Sequence, residues 1–181
     1  LTISDNSAGG NGGGIACESN SNPNLENVTI TGNYSPDSGA GIYCSSSSPN
    51  LMNVTITGNT CASGDGGGGL HCRNNSSPNL MNVIINGNSG VGISLQNSSP
   101  NLENVTISGN INTDVSGGGL NCGIGSSPSL YNVTITGNSS VNGGVFWTTK
   151  PELVKIYKEE YDIAERIVHE YPSNPKYTQI N

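Results

Sequence analysis

The sequence predicts an all-β parallel solenoid, a chain wound in coils whose strands stack along one axis. Three observations predict it. A block reading Ser-Asn-Pro-Asn-Leu-Glu-Asn-Val-Thr-Ile-Thr-Gly-Asn at 21–33 returns in close copies at 47–59, 76–88, 98–110 and 126–138. Its prolines, at 23, 49, 78, 100 and 128, set periods of 26, 29, 22 and 28 residues. Within each block apolar and polar residues alternate, as in Val28-Thr29-Ile30-Thr31, which is strand periodicity and excludes a helical repeat. Finally, only 32% of the chain is hydrophobic, with one Phe and one Trp, too little for an ordinary two-layer globule. A unit this small cannot bury its apolar face alone; stacking in register gives every strand a partner about 4.8 Å above and below.

Taken in order, each coil opens on a strand after a glycine: Gly14-Ile15-Ala16-Cys17, Gly41-Ile42-Tyr43-Cys44, Gly69-Leu70-His71-Cys72, Gly92-Ile93-Ser94-Leu95, Gly119-Leu120-Asn121-Cys122 and Gly144-Val145-Phe146-Trp147. Alternation turns the first and third residues after the glycine inward. A Ser/Asn/Pro turn leads to a second strand, whose inward residue is Leu25, Leu51, Leu80, Leu102 or Leu130. The third strand points Val28/Ile30, Val54/Ile56, Val83/Ile85, Val105/Ile107 and Val133/Ile135 inward. Leu1-Thr2-Ile3-Ser4-Asp5-Asn6 matches the end of a preceding copy, so about five to six rungs are expected. The Gly-rich stretch after Gly-Asn varies in length, and this one turn is expected to absorb all insertions.

Two asparagine columns recur without exception: Asn27, Asn53, Asn82, Asn104, Asn132, and Asn33, Asn59, Asn88, Asn110, Asn138. Asn tolerates left-handed backbone and its amide bonds turn backbone, so both columns are read as turn-holders; stacked amides can also bond one another along the axis. The Asn-x-Ser/Thr matches, such as Asn27-Val28-Thr29, are read as products of the repeat rather than glycosylation signals, stacked Asn being expected to be inaccessible.

Composition changes near Val145. Residues 1–145 hold all 26 Gly, seven acidic residues and one basic residue, Arg73. Residues 146–181 hold six acidic and five basic residues and no Gly. The expected domains are therefore β-repeats over 1–147 and a C-terminal amphipathic α-helix and tail over 148–181. Thr149 with Glu152 forms a capping box, Leu153, Ile156/Tyr157, Ile163/Ala164, Ile167/Val168 and Tyr171 trace a stripe at helical spacing, and Pro172 stops it. The stripe either covers the last rung or begins a further helical domain.

A net charge of −7 excludes a nucleic-acid partner, which needs a basic face. No apolar run approaches the roughly 20 residues of a transmembrane helix. The chain starts inside a repeat without Met, so it reads as part of a longer parent protein. Cys17, Cys44, Cys72 and Cys122 share one inward column and are expected as free thiols filling space; Cys61 stands apart in the variable turn. There is no His/Cys metal spacing, and no metal site is assigned.

The Gly-Gly-Gly-Ile and Ile-Thr-Gly-Asn motifs resemble the Gly-Gly-Ala-Ile and Phe-x-x-Asn repeats of polymorphic outer-membrane proteins and related bacterial surface proteins, with Ile replacing Phe. More broadly, the repeats over about 1–147 resemble the right-handed parallel β-helix of the pectin-lyase-like superfamily. The resemblance implies a right-handed coil and an extracellular or cell-surface, outer-membrane-associated location. It leaves function open, because this architecture hosts lyases, hydrolases, adhesins and tailspikes.

Three outward columns are candidates for chemistry. Beside the cysteines, Glu18, Tyr43, His71 and Arg73 are expected on the solvent face of successive rungs, a mix suited to contacting a sugar. In the variable turn, Asp37 and Asp65 each precede the inward residue of the next strand by five, so they should be neighbours. Such a pair suits calcium or acid/base work with His71, though few further oxygen ligands accompany it; Asp114 is offset by one. The third column is a Thr-x-Thr array, Thr29/Thr31, Thr55/Thr57, Thr106/Ser108 and Thr134/Thr136, broken at Ile84/Asn86, which resembles insect-type ice-binding faces. Lyases of the superfamily need a basic catalytic residue beside calcium, and Arg73 is the only Arg or Lys in 1–145. The expectation is therefore a non-catalytic surface scaffold or adhesin-like module holding polysaccharide or another cell-surface ligand. A polysaccharide lyase or glycoside hydrolase fragment is the first alternative, and an ice-binding or spacer solenoid the second.

Overall fold

The computed structural model describes residues 1–63, 66–113 and 117–141, together with the backbone alone of 146–148, 155–157, 169–170 and 178–180. The chain winds as a parallel β-solenoid with three long sheets and a fourth, narrow line of pairing through Ser7, Tyr34, Thr60, Ser89, Ile111 and Ser139.

The cysteine sheet stacks Ile15–Glu18, Ile42–Ser45, Gly67–Arg73, Val91–Gln96, Leu120–Cys122 and Phe146–Thr148. The leucine sheet stacks Asn24–Glu26, Asn50–Met52, Asn79–Met81, Asn101–Glu103 and Ser129–Tyr131. The threonine sheet stacks Thr2–Ser4, Thr29–Thr31, Thr55–Thr57, Ile84–Asn86, Thr106–Ser108 and Thr134–Thr136. Like residue pairs with like: Cys17 with Cys44 and Cys44 with Cys72, Leu25 with Leu51 and Leu51 with Leu80, Ile30 with Ile56 and Ile56 with Ile85. Register is fixed because a one-residue slip would turn each apolar column out to water.

The inward columns form one core running the length of the coil. Ile30, Ile42, Ile56, Leu70, Leu80, Ile85, Ile93 and Ile107 are fully buried, each contributing about 1.5–3 kcal/mol. At the first rung Ile3, Ile15 and Leu25 are only partly buried, as are Val133 and Ile135 near the other end. The cysteines are free and buried, as expected. The hydrogen bond with Cys44 and then burial push the Cys17 thiol above its ordinary range, and burial does the same for Cys122 and Cys61. Thiols held protonated are inert as nucleophiles.

The glycine before the first inward residue of the cysteine sheet has no room for a side chain at Gly14, Gly41, Gly69 and Gly92. A Cβ on Gly41 would lie 2.5 Å from the Gly69 carbonyl oxygen and 2.6 Å from Ile56 Cγ2; one on Gly69 would lie 2.5 Å from the Gly92 oxygen and 2.6 Å from Ile85 Cγ2. The Gly-Ile motif is thus a packing requirement of adjacent coils.

Insertions are not confined to the Gly-rich turn. The spacing from Cys17 to Leu25 and from Cys72 to Leu80 exceeds by one residue that from Cys44 to Leu51 and from Leu95 to Leu102. The longer turns place two consecutive residues in left-handed backbone, Ser19/Asn20 and Asn74/Asn75; the shorter ones place one, Ser46 or Asn97. In these two turns a second left-handed residue absorbs the extra length; the equally long turn from Cys122 to Leu130 has one, Gly125.

The expected C-terminal helix falls mostly outside the described residues. The described runs within it, Lys155–Tyr157 and His169–Glu170, are extended. Lys155–Tyr157 pairs in parallel with Ser129–Tyr131, which satisfies the backbone edge of the last leucine-sheet strand. The boundary expected near Val145 also lies outside the described residues.

Candidate functional site

The column expected to face solvent beside the cysteines splits in two. In register, Ala16, Tyr43, His71, Ser94 and Asn121 form one line, and Glu18, Ser45, Arg73 and Gln96 the next. Glu18 and Arg73 are exposed, two rungs apart, as a strand end requires. Tyr43 and His71 are not: their exposures are 4% and 3%. This corrects the expectation that both face outward. Beside Tyr43 the Gly-rich turn curls back against the outer side of the sheet. Gly39, at φ +63°, passes so close that a Cβ there would lie 2.7 Å from Tyr43 Cβ, and Gly12, at φ +73°, stands in the same relation to Ala16. Chain without side chains is what permits this approach.

Tyr43 and His71 stack, with ring centroids 5.8 Å apart and planes 12° from parallel. Nδ1 of His71 is buried and meets no hydrogen-bond partner. Desolvation, with the Arg73 charge as a lesser cause, lowers the His71 pKa to about 4. At neutral pH it is a neutral, packed imidazole, and a general-acid role would demand its uncovering.

Asp37 is exposed on the turn, where its backbone carbonyl accepts a 3.3 Å hydrogen bond from Cys61 Sγ. It shares no solvent-facing site with the buried His71. Asp65 and Asp114 lie outside the described residues, so the proposed carboxylate pair does too. Among the described residues no group of three or more His, Cys, Asp or Glu is placed to hold a metal ion.

The two asparagine columns behave differently. The second is buried and forms a continuous ladder beginning one rung earlier, at Asn6. From Asn6 through Asn33, Asn59, Asn88 and Asn110, each side-chain Nδ2 donates to Oδ1 of the next rung at 2.8–3.0 Å, ending on Asn138. The same Oδ1 accepts the preceding rung's backbone N–H at 2.9–3.0 Å. The second N–H of Asn33, Asn59, Asn88, Asn110 and Asn138 goes to an isoleucine carbonyl, of Ile3, Ile30, Ile56, Ile85 and Ile107, at 2.9–3.2 Å. The left-handed residue of this turn is the preceding glycine, such as Gly58 at φ 63°. The first column is itself left-handed, Asn27 to Asn132 at φ 50–55°, and is exposed; its amides make single bonds, for instance Asn53 Nδ2 to Asn27 Oδ1 at 3.1 Å. Exposure of this column overturns the argument that stacked Asn must be inaccessible.

Two features escaped sequence reasoning. Serine columns line the turn before each proline: Ser47, Ser76, Ser98 and Ser126 accept, on their hydroxyls, backbone N–H groups of the preceding rung at 3.1–3.3 Å. Ser48, Ser77 and Ser99 accept from the following rung at 2.8–3.0 Å. The invariant Ser-Ser/Asn before proline was the available signal.

The other is a groove of about 660 Å³ on the outer face of the leucine sheet, running across four rungs. One wall is an exposed amide ladder, Asn24, Asn50, Asn79 and Asn101, bonded Nδ2 to Oδ1 at 2.8, 3.0 and 3.0 Å. The opposite wall is Glu26, Met52, Met81 and Glu103, two residues further along each strand. The signal was the Asn-Leu-Glu/Met triplet, of which only the inward Leu was read.

The family described as a right handed beta helix region matches residues 1–156. The chain belongs to the right-handed β-helix family. No curated protein and no solved structure matches it. No helix among the described residues is long and apolar enough to cross a membrane.

Proposed function

We propose that this β-helix is a non-catalytic scaffold, exported or displayed at a cell surface, that holds polysaccharide in the manner of an adhesin module. The observation that carries the reading is the buried asparagine ladder from Asn6 to Asn138, which commits the repeated polar positions of every described coil to axial stiffness. Support also comes from the neutral, buried state of His71, one of the three acid/base candidates in the sequence. The Asn/Ser/Gly-rich, Lys-poor composition of 1–145 suits a surface-exposed rod.

The test is incubation of the protein with a panel of polysaccharides, with and without Ca²⁺, scoring both protein retained and new chain ends released. Retention without release is expected. Released ends would overturn the reading in favour of lyase or glycosidase activity and direct substitutions to Asp37, Asp65 and His71.

A further inference from the structure

We propose that the groove on the leucine sheet is the polysaccharide-binding surface, and that it takes an uncharged, linear, hydroxyl-rich glycan lying along the solenoid axis. The inference rests on the polysaccharide-holding reading and assigns it to a surface other than the Glu18/Arg73 column.

Repeat distance is the first argument. The amides of Asn24, Asn50, Asn79 and Asn101 recur at the rung spacing, about 4.8 Å. An extended, equatorially linked pyranose chain advances by about one rung per sugar and returns the same face at every second rung, in step with the ladder. An extended peptide presents like-facing side chains every ~6.6 Å, out of step with the ladder. Hydrogen-bonding capacity is the second. Each interior amide spends one N–H and one oxygen lone pair on the ladder, leaving one donor and one acceptor for solvent. A hydroxyl group, which both donates and accepts, matches the pair left on Asn50 or Asn79.

Shape is the third argument. The two walls stand two residues apart on each strand, about 6.6 Å, the width of one sugar ring. Met52 and Met81, 38% and 43% exposed at the centre of their wall, present adaptable apolar surface to the C–H face of such a ring. Charge is the fourth. Glu26 and Glu103 border the groove and its lining residues include no basic one, so polyuronates are repelled there. The carboxylates are separated by the two methionine rungs rather than repeated, so a polyamine chain finds no matching array.

The experiment measures retention of the intact chain on hydroxyethyl cellulose, xylan, polygalacturonate and chitosan. Comparison is with the double variant Met52→Glu/Met81→Glu, with Asn79→Ala, and with Arg73→Glu/Glu18→Gln on the other sheet. Circular dichroism and the urea midpoint confirm that each variant is folded. The expected result is binding to an uncharged polymer, none to polygalacturonate, a loss of about tenfold or more in the methionine variant, and no change in the Arg73/Glu18 variant. Binding that survives the methionine and Asn79 changes but falls with Arg73/Glu18 overturns this assignment and leaves the polysaccharide reading standing. Preference for polygalacturonate or chitosan, or sedimentation showing self-association that the methionine variant abolishes, also overturns it. Retention of no polymer removes the polysaccharide reading itself.

Discussion

Two asparagine columns, six residues apart in every repeat, share one side chain and differ in almost everything else. Asn88 is buried and its amide uses every donor and acceptor it has, toward Asn59, Asn110 and the Ile56 carbonyl. Asn82 is exposed, makes one ladder bond to Asn53 and holds a left-handed turn. In the interior the amide substitutes for water that cannot reach the corner; on the surface water competes for the same groups. One residue type therefore serves as structural cement in one column and as a conformational choice in the other.

The sharpest way to break this comparison is to remove one amide from each column. Asn88→Ala leaves the Asn59 backbone N–H and an Asn59 amide N–H without partners and takes one of its donors from the Ile56 carbonyl. At about 1–3 kcal/mol per orphaned buried group, the expected loss is about 2–6 kcal/mol. Asn82→Ala puts alanine at φ 55° and removes one exposed bond. Its expected cost is about 1–2 kcal/mol, mostly backbone strain. Urea unfolding of both variants beside the parent reads the difference directly. Equal losses would mean that burial does not separate the columns.

His71 sharpens the comparison from the other side, as a buried polar group without the partner that the ladder amides possess. Its pKa is lowered from 6.5 to about 4, so the unfolded chain takes up the proton first as pH falls. The stability tied to its neutral form is complete above about pH 6.5 and is lost as pH falls toward 4, by up to about 3 kcal/mol. The urea midpoint measured across this window is expected to decline, and His71→Gln to flatten the decline. A slope unchanged by that substitution would assign the acid sensitivity elsewhere.

The difference between satisfied and unsatisfied interior groups also marks what the sequence could reveal. Columns such as Leu51/Leu80 and Ile56/Ile85 were legible because alternation names the inward residue and the constant spacing from Leu to Asn sets the register. Tyr43 and His71 were misjudged because alternation says only which side of a strand a residue takes, not whether that side is covered. For Tyr43 a clue lay in the glycine four residues earlier, Gly39, where a left-handed turn brings bare backbone against the Tyr43 Cα and Cβ. The groove was illegible for a different reason. It is made by the outward residues of four coils acting together, and Asn24, Asn50, Asn79 and Asn101 acquire meaning only once register stacks them. Asp37 and Asp65 could be placed on one turn by counting, but counting does not fold a loop of variable length.

The smallest expected effect separates the two roles left to the surface column, turn and ladder. Asn53 sits at φ 54°, donates to Asn27 and accepts from Asn82 at 3.1 and 3.2 Å. Asn53→Gly keeps the left-handed backbone free of strain and deletes both ladder bonds, whereas Asn53→Ala deletes the bonds and adds the strain. If the column exists for its backbone, Gly changes the urea midpoint by no more than about 0.5–1 kcal/mol, the entropy of glycine in the unfolded chain, and Ala costs about 1 kcal/mol more than Gly. If exposed amide bonds carry weight, both variants fall together and by more than the glycine entropy allows. The first outcome is expected, since each exposed bond is exchanged for one to water. Asparagine then holds these five positions as the side-chain-bearing residue most at ease in left-handed backbone, restricting the unfolded chain as glycine cannot.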